Sequence, residues 1–299
     1  MANPSPEELI RNGDLEGAMK AVKGQVRSDP ATASHRILLF QLMSVDGEWD
    51  RALNQLNVLG DLDAKTLSMV QAYREGLRCE ALRAEVFAGK RTPLLFGKPE
   101  SWMAGVLHAL QLDAQGHAVK AHEARMAALE EAPATAGRVN GAAFEWIADA
   151  DSRVGPFLEA LVAGRYYWIP FSRLRKVHVE EPADLRDMVW TPVHLTFANG
   201  GETVAFVPTR YVGSESHDDA NVRLARKTDW RRLGDDGIES YAGIGQRMFA
   251  TDQADYALLD VRSLELDSPD DHESEMPDSG GLDAELANVA DELAKGDGA

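Results

Sequence analysis

Leu15, Met19, Val22 and Val26 recur at helical spacing, and Trp49, Leu53 and Leu56 begin a second stripe of the same kind. The two stripes are copies of one unit. Gly13-Asp14-Leu15-Glu16-Gly17-Ala18-Met19 lines up with Gly47-Glu48-Trp49-Asp50-Arg51-Ala52-Leu53 at an offset of 47 − 13 = 34 residues. That is the period of tetratricopeptide-type helical hairpins. Alanine follows each glycine by five residues, at Ala18 and Ala52, and Gly116 with Ala121 repeats the spacing a third time. Pro30 and Pro133 each lie seventeen residues after the glycine of their copy. A glycine gives a tight helix–helix turn its backbone freedom, a small alanine lets the helices approach, and a proline ends the second helix.

Between the second and third copies, about residues 64–88 read as one longer helix with Leu67, Val70, Leu77 and Ala84 on its apolar face. Gly89-Lys90-Arg91-Thr92-Pro93 breaks it, and a helix reopens near Pro99-Glu100-Ser101 with Trp102, Val106 and Leu110 four residues apart. Hairpins of this type bury their faces only against neighbours, so the array stacks as a short solenoid with a groove suited to a peptide or helix.

The pattern changes in the second half. A helix is expected from about Ala142, with Phe144, Trp146 and Ile147 near its start. Pro156 suits a first helical turn, and Gly164 suits the cap of a helix over residues 157–163. From Arg165 the spacing is that of strands: Tyr166-Tyr167-Trp168-Ile169, Val177-His178-Val179, and the alternating Val193 to Phe197. Asn199-Gly200-Gly201 turns that last run back into Thr203 to Val207, and further strands are expected around residues 246–250 and 256–264. Strands joined by hairpins, without alternating helices, predict an antiparallel α+β domain. The fold class is therefore α+β in two domains: a helical array over 1–135 and a mainly antiparallel β domain over 140–266. A tail over 267–299 with Pro269, Pro277 and Gly280-Gly281 reads as disordered, with one short stripe at Leu282, Leu286, Val289 and Leu293.

Charge narrows the function. The net charge is 31 − 49 = −18, of which the tail from Asp267 carries eleven acids against one lysine, or −10, leaving −8 on the body. An acidic body with an acidic tail repels nucleic-acid phosphates and anionic lipid, so neither is an expected partner. No apolar run reaches the length of a membrane span, and Met1 to Glu8 lack a signal-peptide pattern, which points to the cytoplasm. The single cysteine, Cys79, excludes an intrachain disulfide and reads as a small core residue.

Candidate chemistry is sparse. The eight histidines form no HExxH pair, and His108, His117 and His122 in the helical half read as exposed or satisfied side chains. Asp267, Pro269 and Asp271 begin like a calcium loop but lack its glycine and terminal Glu in place. Gly243-Ile244-Gly245-Gln246 lacks the context of a phosphate loop. One constellation stands out, in which Arg186-Asp187-Met188-Val189-Trp190, Thr209-Arg210-Tyr211, Arg226-Lys227-Thr228-Asp229-Trp230 and Gln246-Arg247-Met248 mix Arg, Asp and Trp at strand ends. Such residues fix irregular loops as buried ion pairs, or form the anchors of an interface. No carboxylate pair or acid–base couple is assignable.

These blocks resemble the ImpE/TagJ family of type VI secretion accessory proteins. The resemblance lies in Tyr166-Tyr167-Trp168-Ile169-Pro170-Phe171, Asp184 to Pro192, Pro208-Thr209-Arg210-Tyr211-Val212-Gly213-Ser214-Glu215, Leu224 to Trp230 and Gly243-Ile244-Gly245-Gln246-Arg247, in the family's order across about residues 151–249. It implies a non-enzymatic, cytoplasmic accessory protein without cofactor or metal. The implied partners are the small sheath subunit, TssB, held through a helix near that subunit's N-terminus, and through the sheath the AAA+ ATPase ClpV. A sheath chaperone, or a small-ligand binder or enzyme using the Arg/Asp/Trp cluster, are the alternatives. Phe96, Trp102, Trp168, Trp190, Arg210 and Tyr211 break the core pattern or flank turns and are the candidate partner contacts, although large aromatics more often fill cores.

Overall fold

The computed structural model describes residues 4–235 and 237–269. Its helical half runs α1 (Pro6–Arg11), α2 (Leu15–Ser28), α3 (Ala33–Val45), α4 (Trp49–Leu62), α5 (Leu67–Phe87), a two-residue strand β1 (Leu94–Leu95), α6 (Ser101–Ala114) and α7 (Ala118–Glu131). The three repeat glycines end α1, α3 and α6 in one geometry, with φ of +78°, +69° and +79°. The next N–H bonds back in each case: Asp14 to the Leu9 carbonyl at 2.9 Å, Glu48 to Met43 at 2.8 Å and His117 to Leu112 at 2.9 Å. That is the Schellman closure, which needs a left-handed residue and so a glycine. Ala18, Ala52 and Ala121 are each fully buried, as close helix approach requires. The repeat read from the sequence is thus three copies of one turn.

The inner face of α5 holds two of its four expected residues, Val70 and Leu77. Leu67 is 51% exposed and Ala84 also faces solvent, while Val70, Tyr73, Leu77, Glu80, Arg83 and Val86 are buried. Two of the inward residues, Glu80 and Arg83, are charged, so a count of apolar positions misses part of this face.

The second half holds β2 (Gly137–Val139), β3 (Ala142–Phe144), β4 (Ile147–Asp149), β5 (Phe157–Val162), β6 (Arg165–Pro170), β7 (Leu174–Val179), β8 (Trp190–Phe197), β9 (Glu202–Pro208), a short α8 (Ala220–Arg223), β10 (Thr228–Arg232), β11 (Tyr241–Gly245), β12 (Met248–Thr251), β13 (Asp255–Ala257) and β14 (Ser263–Leu266). The helices expected at Ala142 and over 157–163 are strands. In the first place Asn140 (φ 50°) and Gly141 (φ 86°) form a two-residue hairpin turn, and Val139 faces Ala142 across it. In the second, Ala163 (φ 48°) and Gly164 (φ 74°) do the same, with Val162 facing Arg165. Strand β5 is buried on both faces, so its sequence lacks the alternation that marks a half-buried strand.

The main sheet has nine strands in the order β1-β6-β5-β9-β8-β7-β14-β2-β3. Every neighbouring pair is antiparallel except β1 with β6. One sheet face shares a core with the helices, where Leu15, Phe40, Leu56 and Tyr73 join Phe157, Trp168 and Trp190. The other face carries Leu158, Ile169, Val193 and Leu195, closed by Phe171, Phe249, Leu258 and Val261. The helical array is therefore welded to the sheet by a dry layer, each large buried side chain contributing about 1.5–3 kcal/mol. No helix among the described residues is long and apolar enough to cross a membrane. Of the acidic tail, residues 270–299 lie outside the described residues.

Candidate partner-binding site

All six candidate contacts are buried side chains. Phe96 stacks on Phe197 with ring centres 4.3 Å apart, and Trp102 packs on Phe157 while its Nε1 donates to Glu100 at 3.1 Å. Trp168 and Trp190 are fully buried, and Tyr211 and Arg210 are 1% and 4% exposed. Apolar area and adjacency to the helix layer keep the aromatics dry, and Arg210 stays inside because it is fully bonded there.

The Arg/Asp/Trp blocks build a buried polar cluster between α5 and the sheet. At its centre Glu159 of β5 accepts from Arg83 of α5 at 2.7 and 3.2 Å, from the Tyr166 hydroxyl, and from Arg247. Trp168 Nε1 donates to the Tyr166 oxygen at 2.7 Å, and Trp190 Nε1 donates to Glu80 at 3.0 Å. Glu80 in turn accepts from Arg83 at 3.3 Å. Arg247 also pairs with Asp149 and lies over the Tyr211 ring at 5.2 Å, while Tyr211 donates its hydroxyl proton to Asp149 at 3.0 Å. Each carboxylate accepts several charge-assisted bonds, which is the condition for ion pairs to persist away from water. Sequence reading found Arg247, Trp190 and Tyr211 but missed Glu80, Arg83, Asp149 and Glu159. The available signal was a lone acid in the apolar run Phe157-Leu158-Glu159-Ala160-Leu161-Val162.

A second group of arginines ties the β half to the ends of the helices. Arg210 donates to the Ser44 carbonyl at 3.2 Å, to Val45 at 2.8 Å and to the Arg223 carbonyl. Arg226 reaches Ile10 at 3.1 Å and Arg11 at 3.0 Å, and Arg223 pairs with Asp46 at 2.8 Å. Ile10, Arg11, Ser44 and Val45 supply C-terminal carbonyls of α1 and α3, where the helix dipole favours a cation. Burial lowers Arg210 to about 10, since no carboxylate touches it directly. Arg210 and Arg226, which the sequence placed in the Arg/Asp/Trp blocks, thus hold the two halves together.

The cluster gives stability a definite pH dependence. Glu159 is held at about 2, below its ordinary 4.5, because Arg83 and Arg247 outweigh the burial that opposes ionisation. Its contribution is complete above 4.5 and is lost as pH falls toward 2. Burial pushes Asp149 the other way, from 3.8 to about 7, against the pull of Arg247. It keeps its proton longer in the folded chain, so its contribution is complete below 3.8 and is lost as pH rises through about 7. Urea midpoints measured across pH are therefore expected to peak on the mildly acid side, and Asp149→Asn is expected to flatten the limb between about 4 and 7.

Burial raises the Cys79 thiol to about 12, and its sulfur contacts the Gly164 carbonyl at 3.5 Å, so it is not a poised nucleophile. Among the described residues no three His, Cys, Asp or Glu side chains form a metal-binding group.

A groove of about 370 Å³ lies open between α5 and the sheet. Ala72 and Glu75 line it from the helix; Leu161, His194, Val204 and Phe206 line it from β5, β8 and β9. Val204 is 66% exposed, the largest exposure among the big apolar residues described.

The structure is a tetratricopeptide-like helical array fused to an antiparallel sheet through a buried polar cluster. Residues 141–265 match the family described as ImpE protein. Over 264 residues the chain is 51% identical to the type VI secretion system accessory component TagJ of Pseudomonas aeruginosa, covering 88% of this chain and 92% of that one. The chain belongs to the ImpE/TagJ family. The crystal structure of protein VPA1032 from Vibrio parahaemolyticus shares the fold, with a TM-score of 0.80 over 87% of this chain and 97% of that one at 23% identity.

Proposed function

We propose that this protein is a non-catalytic adaptor of the type VI secretion machine. It holds the small sheath subunit, TssB, by that subunit's N-terminal amphipathic helix and so links the sheath to the ClpV ATPase. The observation that carries the reading is the likeness to a type VI secretion accessory component over nearly the whole chain. The site supports it. Arg247, Trp190 and Arg210 are taken up by the buried acids Glu159 and Glu80 and by the Val45 carbonyl, while an apolar groove beside α5 is left uncovered. Grooves of that kind take the apolar face of a helix.

The test is a titration of the full-length protein into a fluorescently labelled peptide spanning the N-terminal helix of the cognate TssB, read by anisotropy. Saturable binding at micromolar or tighter is expected, lost when the apolar face of the peptide is changed to Ser. No binding at several hundred micromolar would end the helix-holding reading. The small-ligand alternative predicts a thermal shift with phosphorylated metabolites, and a flat response across a broad panel removes it.

A further inference from the structure

The sheet registers show where its helical cover ends. Tyr166, Leu161, Phe206 and Pro192 form one row across β6, β5, β9 and β8 on the face that meets the helices. Tyr166 and Leu161 are 0% and 4% exposed under the helices, whereas Phe206 and Pro192 are only half-buried. In the next row Val204, His194 and His178 stand opposite one another on β9, β8 and β7, and all three are exposed. In these two rows cover therefore stops beyond β5, leaving one stretch of three adjacent strands bare on a face that is roofed by helices elsewhere, as at Trp190. A helix is about 10 Å across and strands lie about 4.8 Å apart, so the gap is one helix wide.

The chemistry of the gap is asymmetric. Its floor beside α5 is apolar at Leu161, Val204 and Phe206, and Ala72 offers a low wall against which another helix can lie close. Its rims are acidic. Glu75 stands on the α5 side, and Glu180, beside the end of β7, is approached by His194 at 3.1 Å and His178 at 3.9 Å. Glu202 adds a further acid at the start of β9. The nearby cations Arg186 and Lys176 are matched by Asp184 at 2.9 Å and Glu265 at 3.7 Å. The tail of the chain, with a net charge of −10 from Asp267 on, is a poor match for such rims, and so is a second copy with a body at −8.

We infer that this gap seats an amphipathic helix of a partner whose apolar stripe lies on Val204 and Phe206 and whose flanking Lys or Arg residues face Glu75 and Glu180. That the helix comes from the sheath subunit rests on the adaptor reading; the place and its charge do not.

Val204→Asp changes a side chain that is 66% exposed, and Val119→Asp on α7, 60% exposed, is its control. In the anisotropy titration Val204→Asp is expected to weaken the TssB peptide by about tenfold or more, and Val119→Asp by less than about twofold. Equal affinity for wild type and Val204→Asp overturns the seat and leaves the adaptor reading in place. If wild type itself fails to bind, the adaptor reading falls, and a photo-crosslinking residue at position 204 of the full-length protein, mixed with assembled sheath, decides the seat. An adduct mapped to a basic-flanked helix of a sheath protein sustains it. An adduct to residues 270–299, to a second copy, or none at all, overturns it.

Discussion

Glu159→Ala is expected to destabilise the folded chain by about 3–5 kcal/mol, read as a lower urea midpoint and a fall in Tm of roughly 10 °C. The size of the effect follows from what the substitution strands. Glu159 is fully buried and answers two guanidinium groups, Arg83 from α5 and Arg247 from the segment leading into β12. Removing the carboxylate leaves both cations in a dry core, and the nearest remaining acids, Glu80 and Asp149, already accept from Trp190 and Tyr211. Glu159→Gln separates charge from packing, because it keeps the volume and one acceptor. A cost for Gln close to that for Ala assigns the loss to charge; a cost below about 1 kcal/mol would mean that water enters and screens the arginines, and would sink the idea of a dry cluster. The consequence reaches function, because Arg83 anchors α5, and α5 is one wall of the groove. Weakened binding of the sheath peptide is thus expected to accompany the lost stability even though Glu159 never touches the partner.

The elements read correctly from the sequence are those whose physics is local. The repeat was legible because three turns each need a glycine at one left-handed position and an alanine at one tight contact, and both requirements leave a mark at fixed spacing. The β8–β9 hairpin was legible from alternation around Asn199-Gly200-Gly201. The misread elements are those whose character is set by tertiary burial. Strand β5 buries both faces, so Phe157 to Val162 looked like a helix, and only the Ala163-Gly164 turn with both φ values positive reveals the hairpin. The Asn140-Gly141 pair was a stronger hairpin signal and was passed over in favour of the apolar spacing around Phe144 and Ile147. At the site, Trp190, Arg210 and Tyr211 stood out by residue type, but type does not say which way a side chain faces. Val204, an ordinary residue in an alternating strand, gave no signal, because its exposure depends on where the helix layer stops.

Gly245→Ala is expected to be the most damaging of the small substitutions, costing about 3 kcal/mol or more and lowering the yield of folded protein. The residue has φ of +95°, and a Cβ there would stand 2.1 Å from the Lys227 carbonyl oxygen. That oxygen cannot retreat, because it accepts from the Gln246 N–H at 3.0 Å within the paired β10–β11 ribbon. The same glycine donates its N–H to Ser214 Oγ at 2.7 Å, and its carbonyl accepts from the Tyr211 N–H at 2.9 Å. Two positions earlier, a Cβ at Gly243 would meet the Tyr211 ring at 2.2 Å. The Gly-Ile-Gly stretch therefore serves to let Tyr211 lie flat and reach Asp149, which aligns Arg247 and through it Glu159; it has nothing to do with phosphate. Gly200→Ala is the control. Its φ is +84° but nothing lies within 4 Å of the added methyl, so it is expected to cost about 1 kcal/mol, the backbone strain alone. Equal costs at the two glycines would show that the ribbon yields at Lys227, and would remove the link from this motif to the buried cluster.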